Sequence, residues 1–393
     1  MPFVNRRYRR PIASFAKRGA MQRMRILFIF GTRPEAIKLS PVVLHLRQRN
    51  EFDVRVCVTA QHRQLLDQVL DAFQVAPDHD LGVMGPDQTL FQSTSRMVAA
   101  LEPVLVLENP DMVVVQGDTT TTFCGALAAF YRGIPTGHVE AGLRTGDIRQ
   151  PFPEEMNRVL TSRLAALHFA PTEGAAANLR AEGVPPERIA VTGNPGIDAV
   201  LYVRNALEEG RLAGGGWPQL DPSRKLVVVT AHRRESFGDG FARICTALAS
   251  LASRPDVQVV YPVHPNPNVR NVVYDRLARI RNIHLIDPVD YVPFVDLMRR
   301  AWILLTDSGG IQEEGPSLGK PVLVMREKTE RPEAVEAGTA RLVGTEVERI
   351  VGEVSRLLDD PGEYRRVSRV HNPYGDGKAS SRISDAILSF FSG

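Results

Sequence analysis

The sequence predicts an α/β fold of two doubly wound domains facing each other across a cleft. Three observations carry this. Short β-branched runs alternate with helix-length amphipathic stretches from Arg25 onward, the alternation lapses around residues 210–225 before resuming, and the polar, Gly-rich segments fall where strands should end. Strands apolar on both faces need helices on both sides, so both sheets are expected to be parallel, with right-handed crossovers.

Taken in order, the chain begins with eight Arg and Lys and no acid in residues 1–25, so the remainder carries −5 although the whole is +3. A mildly acidic body gives no general case for nucleic-acid binding. Residues 1–23 lack an apolar h-region and a small-residue cleavage site, and read as a disordered leader or an upstream start ahead of Met21 or Met24. The first domain is set at 24–200. Its strands are RILFIF, DVRVCVT, MVVVQ, IPTGHVE, ALHFAPT and RIAVTG, and AIKLSPVVLHLRQ and TTFCGALAAFYRG are among its helices. After the connection GRLAGGGWPQLDPSRK, the second domain, 201–375, holds KLVVVTAHR, VQVVYPVH, IHLIDPV, ILLTDSGG and PVLVMRE. A last helix within 376–393 is expected to pack back on the first domain. No apolar run approaches the roughly eighteen residues of a membrane span. Cys57, Cys124 and Cys245 are too far apart for a zinc spacing and odd in number, which fits a reducing cytoplasm.

The chemistry-bearing segments lie at strand ends, where ligands of open α/β sheets bind. In FGTRPEAIK, Gly31 allows a tight turn, Pro34 suits the first helical position, and Arg33 and Lys38 offer cations to an anion at a helix N-terminus. In TDSGGIQEEG, Ser308, Gly309 and Gly310 let backbone N–H groups approach a phosphate, with Glu313 and Glu314 one turn on. GHVEAGLRTGDIRQPFPEE concentrates His138, Glu140, Arg144, Asp147, Arg149, Glu154 and Glu155 within residues 137–155. No G-x-G-x-x-G follows the first strand, which argues against a nicotinamide cofactor. The H-x-E of HVEAG lacks the P-C-x-x-C of zinc deaminases. Neither a cofactor nor a metal is expected. His232 and His264 follow strands, where a turn or packing role is as common as a catalytic one.

Together FGTRPEAIKLSPV, TAQHRQLLDQVLDAF, GDTTTTFCGALAAFY, GHVEAGLRTGD, PFPEEMNRVLT, AHRRESFG, YPVHPNPNVR, LTDSGGIQEEGPSLGKPVLVMRE, TERPEAVEAGTARLVG and HNPYGDGKAS resemble, in order, the bacterial non-hydrolysing UDP-N-acetylglucosamine 2-epimerases, from about Met24 to the C-terminus. The resemblance implies a GT-B glycosyltransferase-like fold, a homodimer, and interconversion of UDP-N-acetylglucosamine and UDP-N-acetylmannosamine for cell-surface polysaccharide.

That activity accounts for the charged segment. No carbonyl acidifies the hydrogen on C2 of this sugar, so the available handle is the leaving group at C1. If UDP departs, C1 becomes oxocarbenium-like, a carboxylate can take the C2 proton, and a glycal results. By resemblance Asp118, Glu140 and Glu154 are the acid/base groups, and His232 contacts the diphosphate and helps the leaving group. Arg33, Lys38, Phe294, Ser308, Gly309, Gly310, Glu314 and Arg331 match UDP-binding positions. The plain structural alternative has Asp118 and Glu140 capping helices and Glu154 pairing with Arg158 across one turn.

Some positions depart from the family pattern. Pro195-Gly196 replaces Thr-Val after TGN, Ala231 stands where Gly is commoner, and Gln116 stands where some members have His. Gln61, His62, Arg63 and Gln64 match a second, regulatory sugar-nucleotide site of some members, although Asp87 replaces an Arg of regulated ones. Competing readings are a GT-B UDP-sugar glycosyltransferase, a hydrolysing 2-epimerase, a non-catalytic UDP-sugar sensor, and an epimerase for a diacetamido uronic acid nucleotide.

Overall fold

The computed structural model describes residues 23–59, 63–83, 85, 88–217, 219–369 and 371–392. Residues 1–22 of the leader lie outside them, as do Gln61, His62 and Asp87. The chain divides into two compact units, one of residues 1–199 with 375–393, the other of residues 200–374.

Unit 1 holds β1 (Met24–Phe30), β2 (Phe52–Val58), β3 (His79–Asp80), β4 (Met112–Gln116), β5 (Thr136–Val139), β6 (Leu167–Ala170) and β7 (Ile189–Val191), in the spatial order β3-β2-β1-β4-β5-β6-β7. Every pairing in it is parallel. β4 and β5 are buried at every position, as strands covered on both faces must be. On one face Leu27, Ile29, Val113 and Val115 pack with Met97, Leu101 and Leu105 of the helix Leu90–Glu108 and with Cys124, Ala126 and Ala129 of the helix Thr120–Tyr131.

The C-terminal helix Ala379–Ser392 belongs to this unit, with Ile383 and Ile387 fully buried. Its N-terminus is met by Asp198, whose carboxylate accepts from the backbone N–H groups of Ala379 and Ser380 at 3.2 and 2.8 Å. That places an anion where a helix leaves donors unsatisfied.

Unit 2 holds β8 (Lys225–Thr230), β9 (Val257–Pro262), β10 (Ile283–Ile286), β11 (Ile303–Thr306), β12 (Val322–Val324) and β13 (Ala340–Leu342), in the order β10-β9-β8-β11-β12-β13, again all parallel. Val227, Val229, Val259, Ile303 and Leu305 form its core with Phe241, Ile244, Leu248, Ile350 and Val354. The Gly-rich connection is anchored within this unit: Trp217 Nε1 donates to the fully buried Asp296 at 2.9 Å.

Each sheet reverses its strand order once, between β1 and β4 in unit 1 and between β8 and β11 in unit 2. At such a point the connections after neighbouring strands diverge to opposite faces and leave a crevice at the carboxyl ends. The loops of interest follow β1, β4 and β5 in one unit, and β8 and β11 in the other.

Candidate active site

In unit 1 the first turn depends on Gly31, where a Cβ would lie 2.0 Å from the Thr59 hydroxyl. Thr32 caps the helix Arg33–Arg47, and the Glu35 carboxylate turns back to accept from the backbone N–H groups of Gly31 and Thr32 at 3.1 and 2.7 Å, completing a capping box. Its other oxygen accepts from the hydroxyls of Thr119 and Thr122 at 2.7 and 3.1 Å. Glu35 thereby ties the loop bearing Arg33 to the loop bearing Asp118. Burial pushes its pKa up, against the pull of its hydrogen-bond donors.

Asp118 does not cap the helix that follows it, because Thr119 takes that place and accepts from the backbone N–H of Thr122. The Asp118 carboxylate instead receives Nε and Nη2 of Arg158 at 2.9 and 2.7 Å, and its carbonyl accepts from the Asn157 amide at 2.9 Å. Burial raises its pKa, Arg158 opposes the rise, and Glu140 adds to it. The remaining Arg158 nitrogen, Nη1, bonds Glu155 at 2.7 Å, so the pair spans three residues and Glu154 is not the partner. Glu155 also accepts from the N–H groups of Thr145 and Gly146 at 2.9 and 3.3 Å, which pins the charged segment to the helix Glu154–Leu164. Glu154 opens that helix with a half-buried side chain.

Glu140 follows β5 at φ 64°, a left-handed conformation that costs a residue with a Cβ about 1–2 kcal/mol. No helix begins there for it to cap. Lys38 Nζ binds one of its carboxylate oxygens and the Gln116 side-chain amide binds the other. Gly117, at φ 76°, passes beneath, and a Cβ on it would lie 3.6 Å from Glu140 Oε2. The fully buried His138 places Nε2 2.7 Å from the Gly117 carbonyl, which can only accept, so Nε2 carries the proton. Burial lowers the His138 pKa to about 4, and the ring is neutral.

In unit 2 the backbone N–H groups of His232 and Arg233 both donate to Asp307 Oδ2 at 2.7 Å, and His232 Nδ1 lies 3.3 Å from Asp307 Oδ1. Asp307 is 1% exposed, whereas the His232 ring is 40% exposed and stacks on His264 with centroids 5.5 Å apart. Burial lowers the His232 pKa, and Asp307 opposes the fall.

Ser308, Gly309 and Gly310 follow β11 at the start of the short helix Gly309–Glu314. A Cβ on Gly309 would lie 3.8 Å from the Arg331 guanidinium, which is held by Glu313. The Gln312 side chain donates to the Ser308 carbonyl and accepts from the Thr329 hydroxyl, knitting the Gly-rich turn to the loop that carries Arg331. Phe294 lies on the helix Tyr291–Arg300, and Glu314 ends the short helix.

The structure therefore groups Asp118, Glu140 and Lys38 near the loop of Arg33 in unit 1, and His232, Ser308, Gly309, Gly310 and Arg331 around Asp307 and Glu313 in unit 2. Lys38, read from sequence as an anion contact, is paired with Glu140. Arg63 and Gln64 open the helix Arg63–Phe73. Sequence reasoning passed over Asp307 and Glu35, met Glu155 only within the charged segment and Arg158 only as a partner for Glu154, and met Gln116 as a departure from the family pattern.

A family model described as UDP-N-acetylglucosamine 2-epimerase matches residues 44–388. The UDP-N-acetylglucosamine 2-epimerase of Escherichia coli K12 is 57% identical over 369 residues, spanning 93% of this chain and 98% of that protein. A crystal structure of the Neisseria meningitidis UDP-GlcNAc 2-epimerase bound to UDP-GlcNAc is 48% identical, with a TM-score of 0.84 over 93% of this chain and 100% of that one. A calicheamicin glycosyltransferase, 16% identical with a TM-score of 0.59, shares the fold alone. Two parallel-sheet domains of the GT-B kind, with carboxylates at the strand ends of the first, thus come with a match along nearly the whole sequence, and the chain belongs to the UDP-N-acetylglucosamine 2-epimerase family.

Proposed function

We propose that the protein interconverts UDP-N-acetylglucosamine and UDP-N-acetylmannosamine by eliminating UDP and adding it back, releasing no free sugar. The observation that best supports this is the pair of unlike carboxylates. Asp118 has its affinity for a proton raised by burial, while both oxygens of Glu140 receive donors. Such contrast separates an acid from a base at one pH.

In the first half-reaction a carboxylate takes the C2 proton as the C1–oxygen bond breaks. The C2–H electron pair becomes the C1=C2 bond of 2-acetamidoglucal, and the C1–oxygen pair leaves on UDP. Protonating the opposite face of C2 and returning the β-phosphate oxygen to C1 gives the epimer. Glu154 is the third acid/base group in this reading. His232 assists the diphosphate, and Arg33, Lys38, Phe294, Ser308, Gly309, Gly310, Glu314 and Arg331 hold UDP. A regulatory sugar nucleotide at Gln61, His62, Arg63 and Gln64 belongs to the same proposal.

The proposal further places the protein in the cytoplasm, supplying N-acetylmannosamine for cell-surface polysaccharide, as a homodimer. Cys57, Cys124 and Cys245 are free and buried, and no helix among the described residues is long and apolar enough to cross a membrane. Support for the dimer comes from unit 1. The helices Leu90–Glu108 and Thr120–Tyr131 expose Phe91, Leu107, Phe130 and Tyr131, the last two lining a groove of about 750 Å³ with Val98, Ala99 and Leu127. Exposed apolar patches of this kind mark association surfaces.

A proton NMR time course with UDP-N-acetylglucosamine in D2O tests the reaction. The expected product is UDP-N-acetylmannosamine with deuterium at C2, and long incubation should leak a little UDP and 2-acetamidoglucal. Turnover only with an added acceptor would mean glycosyl transfer, free N-acetylmannosamine would mean hydrolysis, and binding without turnover would mean a sensor.

A further inference from the structure

Of the candidate catalytic carboxylates, Glu140 is the one held at both oxygens by side chains from two separate elements. Lys38 reaches it from the helix Arg33–Arg47 and Gln116 from the end of β4. Gln116 is itself fixed: it is 3% exposed, it sits in register with Val139 beside Glu140, and its carbonyl accepts from the Thr122 hydroxyl at 2.6 Å. The backbone of Glu140 is held in the left-handed region, where only surrounding structure keeps it. A side chain held at both carboxylate oxygens thus has its second oxygen on an amide that cannot titrate.

We infer that Gln116 is a positioning residue for the proposed epimerisation: its amide N–H, permanently a donor, aims the Glu140 carboxylate and keeps it a proton acceptor. The inference rests on Glu140 taking part in proton transfer at C2. Near this pair lie the titratable groups of Lys38 from the first helix, Asp118 after β4 and His138 on β5, while Arg158 reaches Asp118 from the helix Glu154–Leu164 and Glu35 reaches the neighbouring Thr119.

Two substitutions separate aiming from bulk packing. Gln116→Met keeps the length and removes the donor. Gln116→Glu keeps the shape but offers a donor only while the carboxyl pair holds a shared proton, so the donor returns as pH falls. The full-length protein is assayed for kcat, KM and C2 deuterium incorporation from pH 5.5 to 9, with UDP affinity measured by calorimetry. Gln116→Met should lose roughly 10- to 100-fold in kcat at every pH, the usual cost of removing a group that orients a functional ligand or catalytic group. Its KM and UDP affinity should stay within about threefold, little more than the factor that 0.5 kcal/mol represents. Gln116→Glu should recover towards the native kcat as the pH is lowered.

Unchanged kcat in Gln116→Met, or equal losses with parallel pH profiles in both variants, overturns the inference while leaving the proposed reaction standing. If Gln116→Glu binds no UDP, Gln116→Met decides alone: a loss confined to kcat supports the aiming role, and one confined to KM overturns it. Native protein that never exchanges C2 hydrogen removes the proposed function itself, a result read before any variant is made.

Discussion

Asp118 and Glu140 are the same functional group in two surroundings, and the difference is set by what reaches them. Asp118 meets one guanidinium that it shares with Glu155, whereas Glu140 meets an ammonium and an amide, one on each oxygen. Asp118→Asn, Glu140→Gln and Glu154→Gln preserve shape and remove acid/base capacity, so each should lower kcat by about 100-fold or more while leaving UDP affinity close to native. Steady-state kinetics beside calorimetry checks this, and near-native turnover in two of the three would remove the assigned roles. Arg158 opposes the rise in the Asp118 pKa, so Arg158→Met should move whichever limb of the pH–kcat profile belongs to Asp118 to higher pH. A limb that stays still, or moves down, would detach Arg158 from Asp118 ionisation. The family resemblance singled out both carboxylates, and Glu140 also stood out within the charged segment that follows its strand. Their partners were not legible, because Arg158 lies 40 residues from Asp118 and Glu140 lies 102 from Lys38, separations that carry no periodic signal.

At the scale of elements, the alternation of apolar runs and amphipathic stretches was readable because strands buried on both faces leave continuous β-branched segments. β3, of two residues, falls below what such periodicity resolves, and β13, as long as β7 and β12, is interrupted by the charged, half-buried Arg341 and so shows no continuous apolar run. Caps were harder to assign. Asp118 and Thr119 are both good cap residues, and only geometry shows that Thr119 serves, which leaves Asp118 for Arg158.

The pairing of β5 with β6 has its own consequence, since it sets His138 directly opposite His168, both buried. Burial lowers their pKa values from 6.5 to about 4 and about 3. Unfolded histidines take a proton below about pH 6.5 and these folded ones do not, so the stability they confer is present above that pH and is lost as pH falls towards 4 and 3. For His138 the loss reaches about 3 kcal/mol once the pH is below both its values. Thermal unfolding should therefore drop steeply between pH 6.5 and 4, and His168→Phe, which cannot take a proton, should flatten the slope. An unchanged slope would place the acid sensitivity elsewhere.

At the scale of the whole molecule, two sheets with the same logic of reversal carry different chemistry: carboxylates in unit 1, and a histidine with a Gly-rich turn in unit 2. That division was visible in the sequence as motif content on either side of the Gly-rich connection. If the exposed face of unit 1 joins two copies, Leu107→Glu with Phe130→Glu should convert dimers to monomers in sedimentation velocity without loss of the fold by circular dichroism. A native protein that sediments as a monomer would withdraw the dimer.

The division of the chain also bears on the order in which the protein is made. Unit 2 is one continuous stretch of polypeptide, but unit 1 is interrupted by it and recovers its last helix only at Ala379–Ser392. When synthesis reaches Tyr374 the later unit has all its residues, while the earlier one still lacks the helix that carries the buried Ile383 and Ile387 and donates to Asp198. The carboxylate-bearing half, first to be translated, is thus the last to be finished. A premature stop just after Tyr374 would spare every strand of both sheets and still take from the buried Asp198 the N–H donors of Ala379 and Ser380, so such truncated chains should be cleared by proteolysis as incompletely folded.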